Sequence, residues 1–374
     1  MQNFNFSLPT LVLFGKARYQ EIGRILKARQ IKNVLITFGV SFACTSGLLD
    51  QIITLIEAVG IKVVLFGGIQ PNPSLDEVKA GLKVIKEHKV DYLLALGGGS
   101  VIDATKLMAL SAYDKSDPLD ILNYQHVPIA RMGFGVILTV AASGSETSNS
   151  LVVTDALTQR KIGVNLELNR PDFAILAPDL LLSTNKIVTA AGIFDIFMHT
   201  FERYLSRNKA DNTYIDALCL TTLKRIMSSG EKLINDSNNY DLREEMMLLG
   251  MISHNGLLGL GKQVEMPIHK LEHAVSGVYP VIPHGVGLAM LIISYLEVTG
   301  LKSLLNQDLS LAMIKSFIIN LGLNVTLADY GIRLDADELV KKVLKNPLDV
   351  YKLKHNDVVL NYNDVRKIFE NIRE

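Results

Sequence analysis

The segment "HKLEHAVSGVYPVIPHG", His269 to Gly285, holds three of the chain's eight histidines. His269 and His273 stand four apart, which puts both on one face of a helix, and His284 follows a proline-containing loop. Three imidazoles make a borderline nitrogen site suited to zinc or ferrous iron, and nothing in their spacing resembles a cysteine-rich zinc finger. Upstream, "GIFDIFMHTFERY" places Asp195 and His199 four apart on one face of another helix, among Phe194, Ile196, Phe197 and Met198. A carboxylate in so apolar a segment is costly unless a cation or hydrogen bonds compensate it, and a metal shared with the downstream histidines would do so. Glu202 continues the same face and is read as a partner of Arg203 or a nearby lysine. His88, His126 and His355 lie in polar segments, are expected at the surface and receive no role; His254 is read as structural.

A second constellation lies earlier. "LLALGGGSVIDATKLMAL" reads as a strand, a triple glycine and a helix. Gly97, Gly98 and Gly99 let backbone N–H groups approach an anion, and the helix from Ser100 aims its positive end at the same point. Ser100 and Asp103 also read as a capping pair for that first turn. The plain alternative is a tight strand–helix turn with no ligand, since the run is neither a Walker A sequence nor a GxGxxG fingerprint. The polar turn "GVSFACTSG", Gly39 to Gly47, stands where nucleotide-binding sheets meet the adenosine ribose. It has no carboxylate before Asp50 to repel a 2′-phosphate and no lysine or arginine to bind one, although Ser41, Thr45 and Ser46 can hydrogen-bond it. A third polar loop, "TVAASGSETSNS" from Thr139 to Ser150, is small enough to admit a ligand ring or ribose.

The elements that must position these groups divide the chain. Apolar runs at Asn33–Phe38, Lys62–Phe66, Asp91–Leu96 and Gly135–Val140 predict buried parallel strands, with helices between them. Shorter strands are expected at Leu151–Val153, Lys161–Val164 and Phe173–Leu176. Strand–helix alternation implies an α/β domain with a doubly wound, mostly parallel sheet. After about Asp179 the periodicity is helical throughout, which predicts an all-α C-terminal domain. The boundary falls near residues 178–184, giving domains of 1–180 and 181–374, and a cleft between them is the expected ligand site.

The totals exclude several classes. In 374 residues Lys+Arg and Asp+Glu are both 38, so no net field recommends nucleic acid or an anionic membrane as partner. Hydrophobic residues are 48% and charged residues 20%, a globular composition with room for two cores. "MQNFNFSLPTLVLFGK" lacks the pattern of a signal peptide, and the apolar "GVGLAMLIISYL" is too short to span a bilayer. Cys44 and Cys219 are far apart and read as reduced thiols of a cytoplasmic protein.

Taken together, these motifs resemble the iron-dependent alcohol dehydrogenases, in particular the butanol dehydrogenase and NADPH-dependent aldehyde reductase branch. The matching residues are GGGSxxDxxK at Gly97–Lys106, GSE at Gly144–Glu146, DxxxH at Asp195–His199, HxxxH at His269–His273 and PHGxxLA at Pro283–Ala289. The resemblance implies an N-terminal dinucleotide-binding domain and a helical, metal-binding one, the architecture also of dehydroquinate synthase. It implies one divalent metal, Fe2+ or Zn2+, on Asp195, His199, His269 and His284, with His273 beside it but not bound. By helical spacing His273 is the candidate catalytic proton relay, the alternative being a residue that only orients a ligand. Cofactor contacts would fall on Gly39, Ser41, Asn72, Gly98, Gly99, Ser100, Asp103, Thr139, Ser145 and Lys161, with NADP(H) favoured over NAD(H). Small alcohols or aldehydes are the implied substrates, and a homodimer the implied assembly. Ser143 and Val140 stand where the family often has threonine. A dehydroquinate synthase-like or glycerol dehydrogenase-like enzyme is the alternative, though the former would need a cluster of cations for its anionic substrate. A non-catalytic nucleotide-binding module is the remote one.

Overall fold

The apolar runs at Asn33–Phe38, Asp91–Leu96 and Gly135–Val140 fold as inner parallel strands buried on both faces, as such runs do when helices cover each side of a sheet. The run at Lys62–Phe66, expected buried, forms an edge strand with Leu65 45% exposed, because only one side of it is paired. The computed structural model describes residues 1–39, 46–206, 212–344 and 353–372. In chain order the strands of the first half are β1 (Leu11–Phe14), β2 (Asn33–Gly39), β3 (Lys62–Ile69), β4 (Tyr92–Gly97), β5 (Phe134–Leu138), β6 (Ser150–Asp155), β7 (Arg160–Asn165) and β8 (Phe173–Leu176). Six of them form a parallel sheet in the order β1-β8-β5-β4-β2-β3, and β6 and β7 make a separate antiparallel pair. β1 is not anticipated by the sequence reading. It is a four-residue edge strand whose register, Leu11 against Phe173 to Phe14 against Leu176, comes from tertiary pairing rather than from a local pattern.

Five helices accompany these strands among the described residues: α1 (Ile22–Ala28), α2 (Leu48–Glu57), α3 (Leu75–Glu87), α4 (Gly99–Asp114) and α5 (Pro118–Leu122). α1 and α2 bury Ile22, Leu26, Ile52 and Ile56 against Val34, Ile36, Leu94, Ile137 and Ile175 of the sheet. α3 starts at a capping box in which Ser74 and Glu77 satisfy each other's backbone N–H, as the Ser-x-x-Glu spacing predicts. The unit so formed spans Ser7–Ser183.

The other unit comprises Met1–Phe6 and Thr184–Glu374. Its described helices are α6 (Lys186–Leu205), α7 (Thr213–Asn235), α8 (Tyr240–His254), α9 (Pro267–Val278), α10 (His284–Val298), α11 (Leu311–Asn320), α12 (Ala336–Val343) and α13 (Tyr362–Asn371). α6 is apolar nearly all round and is buried from Thr189 to Leu205, packed against α7, α8 and α10. A two-residue hairpin, β9 (Lys354–His355) with β10 (Val358–Val359), interrupts the helices. No helix among the described residues is long and apolar enough to cross a membrane.

Sheet packing depends on glycine at position 135. It pairs with Phe173 of β8, and a Cβ there would stand 2.2 Å from the Phe173 ring. Gly135→Ala is expected to destabilise the chain by about 1–3 kcal/mol through overpacking, read as an earlier urea midpoint. An unchanged midpoint would show that the strand pair spreads without cost.

Candidate functional site

α6 carries Asp195, His199 and Glu202 on consecutive turns of one face; α9 carries His269, Glu272 and His273, and α10 opens on His284. The fold sets His199, His269 and His284 around Asp195. The Nε2 atoms of His199, His269 and His284 lie 3.4, 3.6 and 3.7 Å from the same Asp195 oxygen, Oδ1. Asp195, His199 and His269 are buried, whereas His284 and His273 are half-buried and form the more open side. Among the described residues, Asp195 Oδ1 and His269 Nε2 have no hydrogen-bond partner. These separations are long for hydrogen bonds. Each is close to the edge of a tetrahedron, about 3.4 Å when ligand bonds are about 2.1 Å. Asp195, His199 and His269 offer donor atoms within 4.8 Å of one another, and His284 groups in the same way with Glu272 and His273. The donor set, three imidazole nitrogens and one carboxylate oxygen, therefore fits a divalent ion of the zinc or ferrous type.

Two glycines of α10 leave room for this arrangement, one against backbone and one against a side chain. A Cβ on Gly285 would lie 2.0 Å from the Ala191 carbonyl oxygen, so only glycine lets the start of α10 sit on α6. A Cβ on Gly287 would meet Glu272 at 2.9 Å.

Glu202 departs from the sequence reading. It pairs with neither Arg203 nor a lysine: one oxygen accepts from His269 Nδ1 and the other from the Ile268 N–H at 2.7 Å. Arg203 instead donates to the His199 carbonyl at 2.6 Å. Glu272, which the sequence reading passes over, accepts from His284 Nδ1. Both glutamates are fully buried. Their signal was present as the i+3 spacings His199–Glu202 and His269–Glu272, which put each glutamate beside a histidine on one helix face. The His254 ring lies tilted against that of His199, with centroids 4.0 Å apart. His355 is not at the surface but wholly buried, within 3.3 Å of Ser206 Oγ and 3.4 Å of the Tyr295 hydroxyl, because the β9–β10 hairpin carries it inward. His88 is exposed and His126 is half-buried against Asp114.

The electrostatics follow the partners. Burial, reinforced by the neighbouring His254 and His269, holds the His199 imidazole well below its ordinary range, so it is neutral and has a lone pair to give. Burial also pushes His269 down, but Glu202 on one side and Asp195 on the other bring it up to about 9.

In the α/β unit, the sheet order places β3 on one side of β2 and β4 and β5 on the other. The chain reverses its winding between β2 and β4, and ligands of open α/β sheets bind beyond the carboxyl ends at such a reversal. Gly39 ends β2 and Gly97 ends β4 at this point. Gly98 is the N-cap of α4, which has no side-chain cap, so the first-turn amides of Gly99, Ser100 and Val101 are available to an anion. The expected Ser100–Asp103 capping pair does not form. Asp103 accepts instead from Ser145 Oγ at 2.5 Å and the Val152 N–H at 2.9 Å. Close approach is built in, since a Cβ on Gly99 would stand 2.5 Å from Ser143 Oγ. Thr139 donates its N–H to the Gly97 carbonyl at 3.1 Å, and Asn72 turns the chain before α3 with φ of 57°. Lys161 lies on β7 opposite Thr154, and its charge helps restrain Asp103, whose carboxyl burial pushes up. Ser41 lies outside the described residues.

Lys106 braces this cradle. Its buried ammonium donates to Ser145 Oγ at 2.8 Å and to the carbonyls of Ser148 and Ser150 at 3.2 and 2.6 Å, tying the small-residue loop to α4. Burial lowers Lys106 to about 8 and raises Glu146 to about 7.

A family model described as iron-containing alcohol dehydrogenase matches residues 9–178, and one described as the C-terminal region of the Fe-containing alcohol dehydrogenase family matches residues 189–372. The chain is 38% identical to a probable NADH-dependent butanol dehydrogenase of Bacillus subtilis, over 80% of this chain and 76% of that protein. It is 30% identical to the NADPH-dependent aldehyde reductase YqhD of Escherichia coli over 100% of both. The crystal structure of the NADH-dependent butanol dehydrogenase A of Thermotoga maritima superposes with a TM-score of 0.92 at 28% identity, covering 100% of this chain and 99% of that one.

The buried Glu146 gives a pH test of the cradle. Its folded carboxyl, at about 7, lies above the unfolded value of 4.5, so the folded form holds a proton that the unfolded form has released. Stability from this group is complete below pH 4.5 and is lost as pH rises towards 7. Glu146→Gln should therefore gain on the wild type by up to about 3 kcal/mol between pH 4.5 and 7.5 in urea unfolding. Parallel pH profiles would show that Glu146 is not held in its neutral form.

Proposed function

The chain belongs to the iron-containing alcohol dehydrogenase family, and from that premise we propose that it interconverts small primary alcohols and aldehydes with NAD(P)(H) and one divalent metal. As a member it is an oxidoreductase; the metal, the carrier and the substrate are our reading. The observation that carries the metal assignment is the convergence of three imidazole Nε2 atoms on one buried Asp195 oxygen. Asp195, His199, His269 and His284 would hold the ion, Fe2+ or Zn2+. When bound, such an ion supplies Lewis acidity, which polarises a carbonyl or makes an alcohol more acidic.

The remaining roles belong to the chain's own groups. Gly98, Gly99 and Ser100 would take the pyrophosphate on the first-turn amides of α4, with Gly39, Ser41 and Asn72 towards the adenosine. Thr139, Ser145, Asp103 and Lys161 would line the rest. His273, half-buried with its ring 5.8 Å from His284, would hold and pass the substrate proton. Arg203 is turned to a backbone carbonyl and Lys270 is exposed, so neither recommends an anionic substrate. That favours a small, weakly charged alcohol or aldehyde, as the names of both relatives do.

NADP(H) is taken as favoured over NAD(H), because no carboxylate lies between Gly39 and Leu49 to repel a 2′-phosphate. The relatives are named for both carriers, which makes a direct comparison informative. A homodimer is proposed from the edge strand β1, whose Leu11 is 54% exposed. A cytoplasmic place is proposed from the free, buried thiol of Cys219.

His269→Ala should lose tightly bound metal, measured as metal per chain after dialysis, whereas His273→Ala should keep the metal and lower kcat by about 10²–10⁴-fold if proton transfer limits turnover. Equal metal content in wild type and His269→Ala would overturn the ligand set. NADPH should support reduction of a short aldehyde such as butanal at least as well as NADH at matched concentrations. A strong NADH preference would show that the missing carboxylate does not govern the choice.

A further inference from the structure

Two carboxylates remain that the proposed coordination does not use. Glu202 and Glu272 are both wholly buried, come from different helices and each engage the Nδ1 atom of one histidine: Glu202 that of His269, Glu272 that of His284. A carboxylate held at Nδ1 occupies that nitrogen, so the atom each ring can offer to a cation is Nε2. Both Nε2 atoms then face Asp195 Oδ1, at 3.6 and 3.7 Å. We propose that Glu202 and Glu272 are the positioning residues of the cation site, holding His269 and His284 by Nδ1 so that each ring presents Nε2 towards Asp195. This rests on the coordination reading given above.

The two are built differently. Glu202 also accepts from the Ile268 N–H in the first turn of α9, a helix whose N-cap, Met266, supplies no side-chain cap. It thus sets both the helix start and the ring one residue later. Glutamine at 202 has nearly the same volume but one acceptor where two N–H donors converge. Whichever way its amide turns, either Ile268 loses its acceptor or His269 must place its proton on Nε2, facing the ion. Glu272 depends on room made by Gly287, where a Cβ would stand 2.9 Å from its Cγ and Oε1. Gly287→Ala therefore disturbs this glutamate without altering any proposed ligand.

The test uses the full chain, stripped of metal, as wild type, Glu202→Gln, Glu272→Gln and Gly287→Ala. Zn2+ affinity is measured by competition with a chromophoric chelator, and the visible spectrum is recorded at saturating Co2+. Each variant should bind Zn2+ about 10–100-fold more weakly. Each should also show a cobalt spectrum altered in position or intensity, because the ligand field follows the angle and basicity of the imidazoles. Should Glu202→Gln fail to fold through loss of its cap, Glu272→Gln and Gly287→Ala carry the test, with metal-free melting within a few degrees of wild type. Wild-type zinc affinity in the glutamine variants overturns the proposal. So does weaker zinc binding with an unchanged cobalt spectrum, which is what lost stability alone would give. A wild type that binds neither ion overturns the coordination reading itself, a distinct failure.

Discussion

A carboxylate oxygen sealed among apolar helices is the constraint around which the helical unit is arranged. Asp195 sits in the most buried helix of that unit, between Phe194 and Ile196, both fully buried. Burying a charge without compensation costs several kcal/mol, and a pair or a metal must offset it. Three imidazoles meet that oxygen, and two further buried glutamates stand behind two of them. The Glu202 and Asp195 carboxylates hold a proton on His269, whose pKa rises to about 9 against the effect of burial.

The same constraint explains features that look unrelated along the chain. Gly285 permits α10 to rest on the α6 backbone, and that contact sets where His284 projects. Glu202 joins α6 to the first turn of α9, so one side chain serves both helix start and ring orientation. Small changes at these points act on the site through backbone placement rather than through loss of a donor.

In the α/β unit the governing feature is an uncapped helix start at a reversal in sheet winding. Glycines keep the approach to α4 clear, while Lys106 uses a buried ammonium to gather carbonyls of the loop from Ser145 to Ser150. The first-turn amides of α4 are thus left to the backbone, while Lys106 is occupied in holding the loop. On the proposed reading, backbone amides would take the phosphate there, and the choice between carriers would fall to the ribose end.

Much of this was legible in residue order alone. Near-continuous apolar runs announced the parallel strands, the Ser74–Glu77 spacing announced a helix start, and i+4 pairs put Asp195 with His199 and His269 with His273 on common faces, because these are local regularities of backbone geometry. The edge strand at Leu11–Phe14 carried no such regularity and exists only because Phe173–Leu176 lies beside it. His355 reads as exposed in its polar segment and is buried only because a short hairpin folds inward. The choices made by Glu202, of His269 over Arg203, and by Asp103, of Ser145 and Val152 over the first turn of its own helix, were likewise settled by tertiary packing. Spacing determines which face of a helix a side chain occupies; the partner it meets there depends on which other helix or strand the core brings against it.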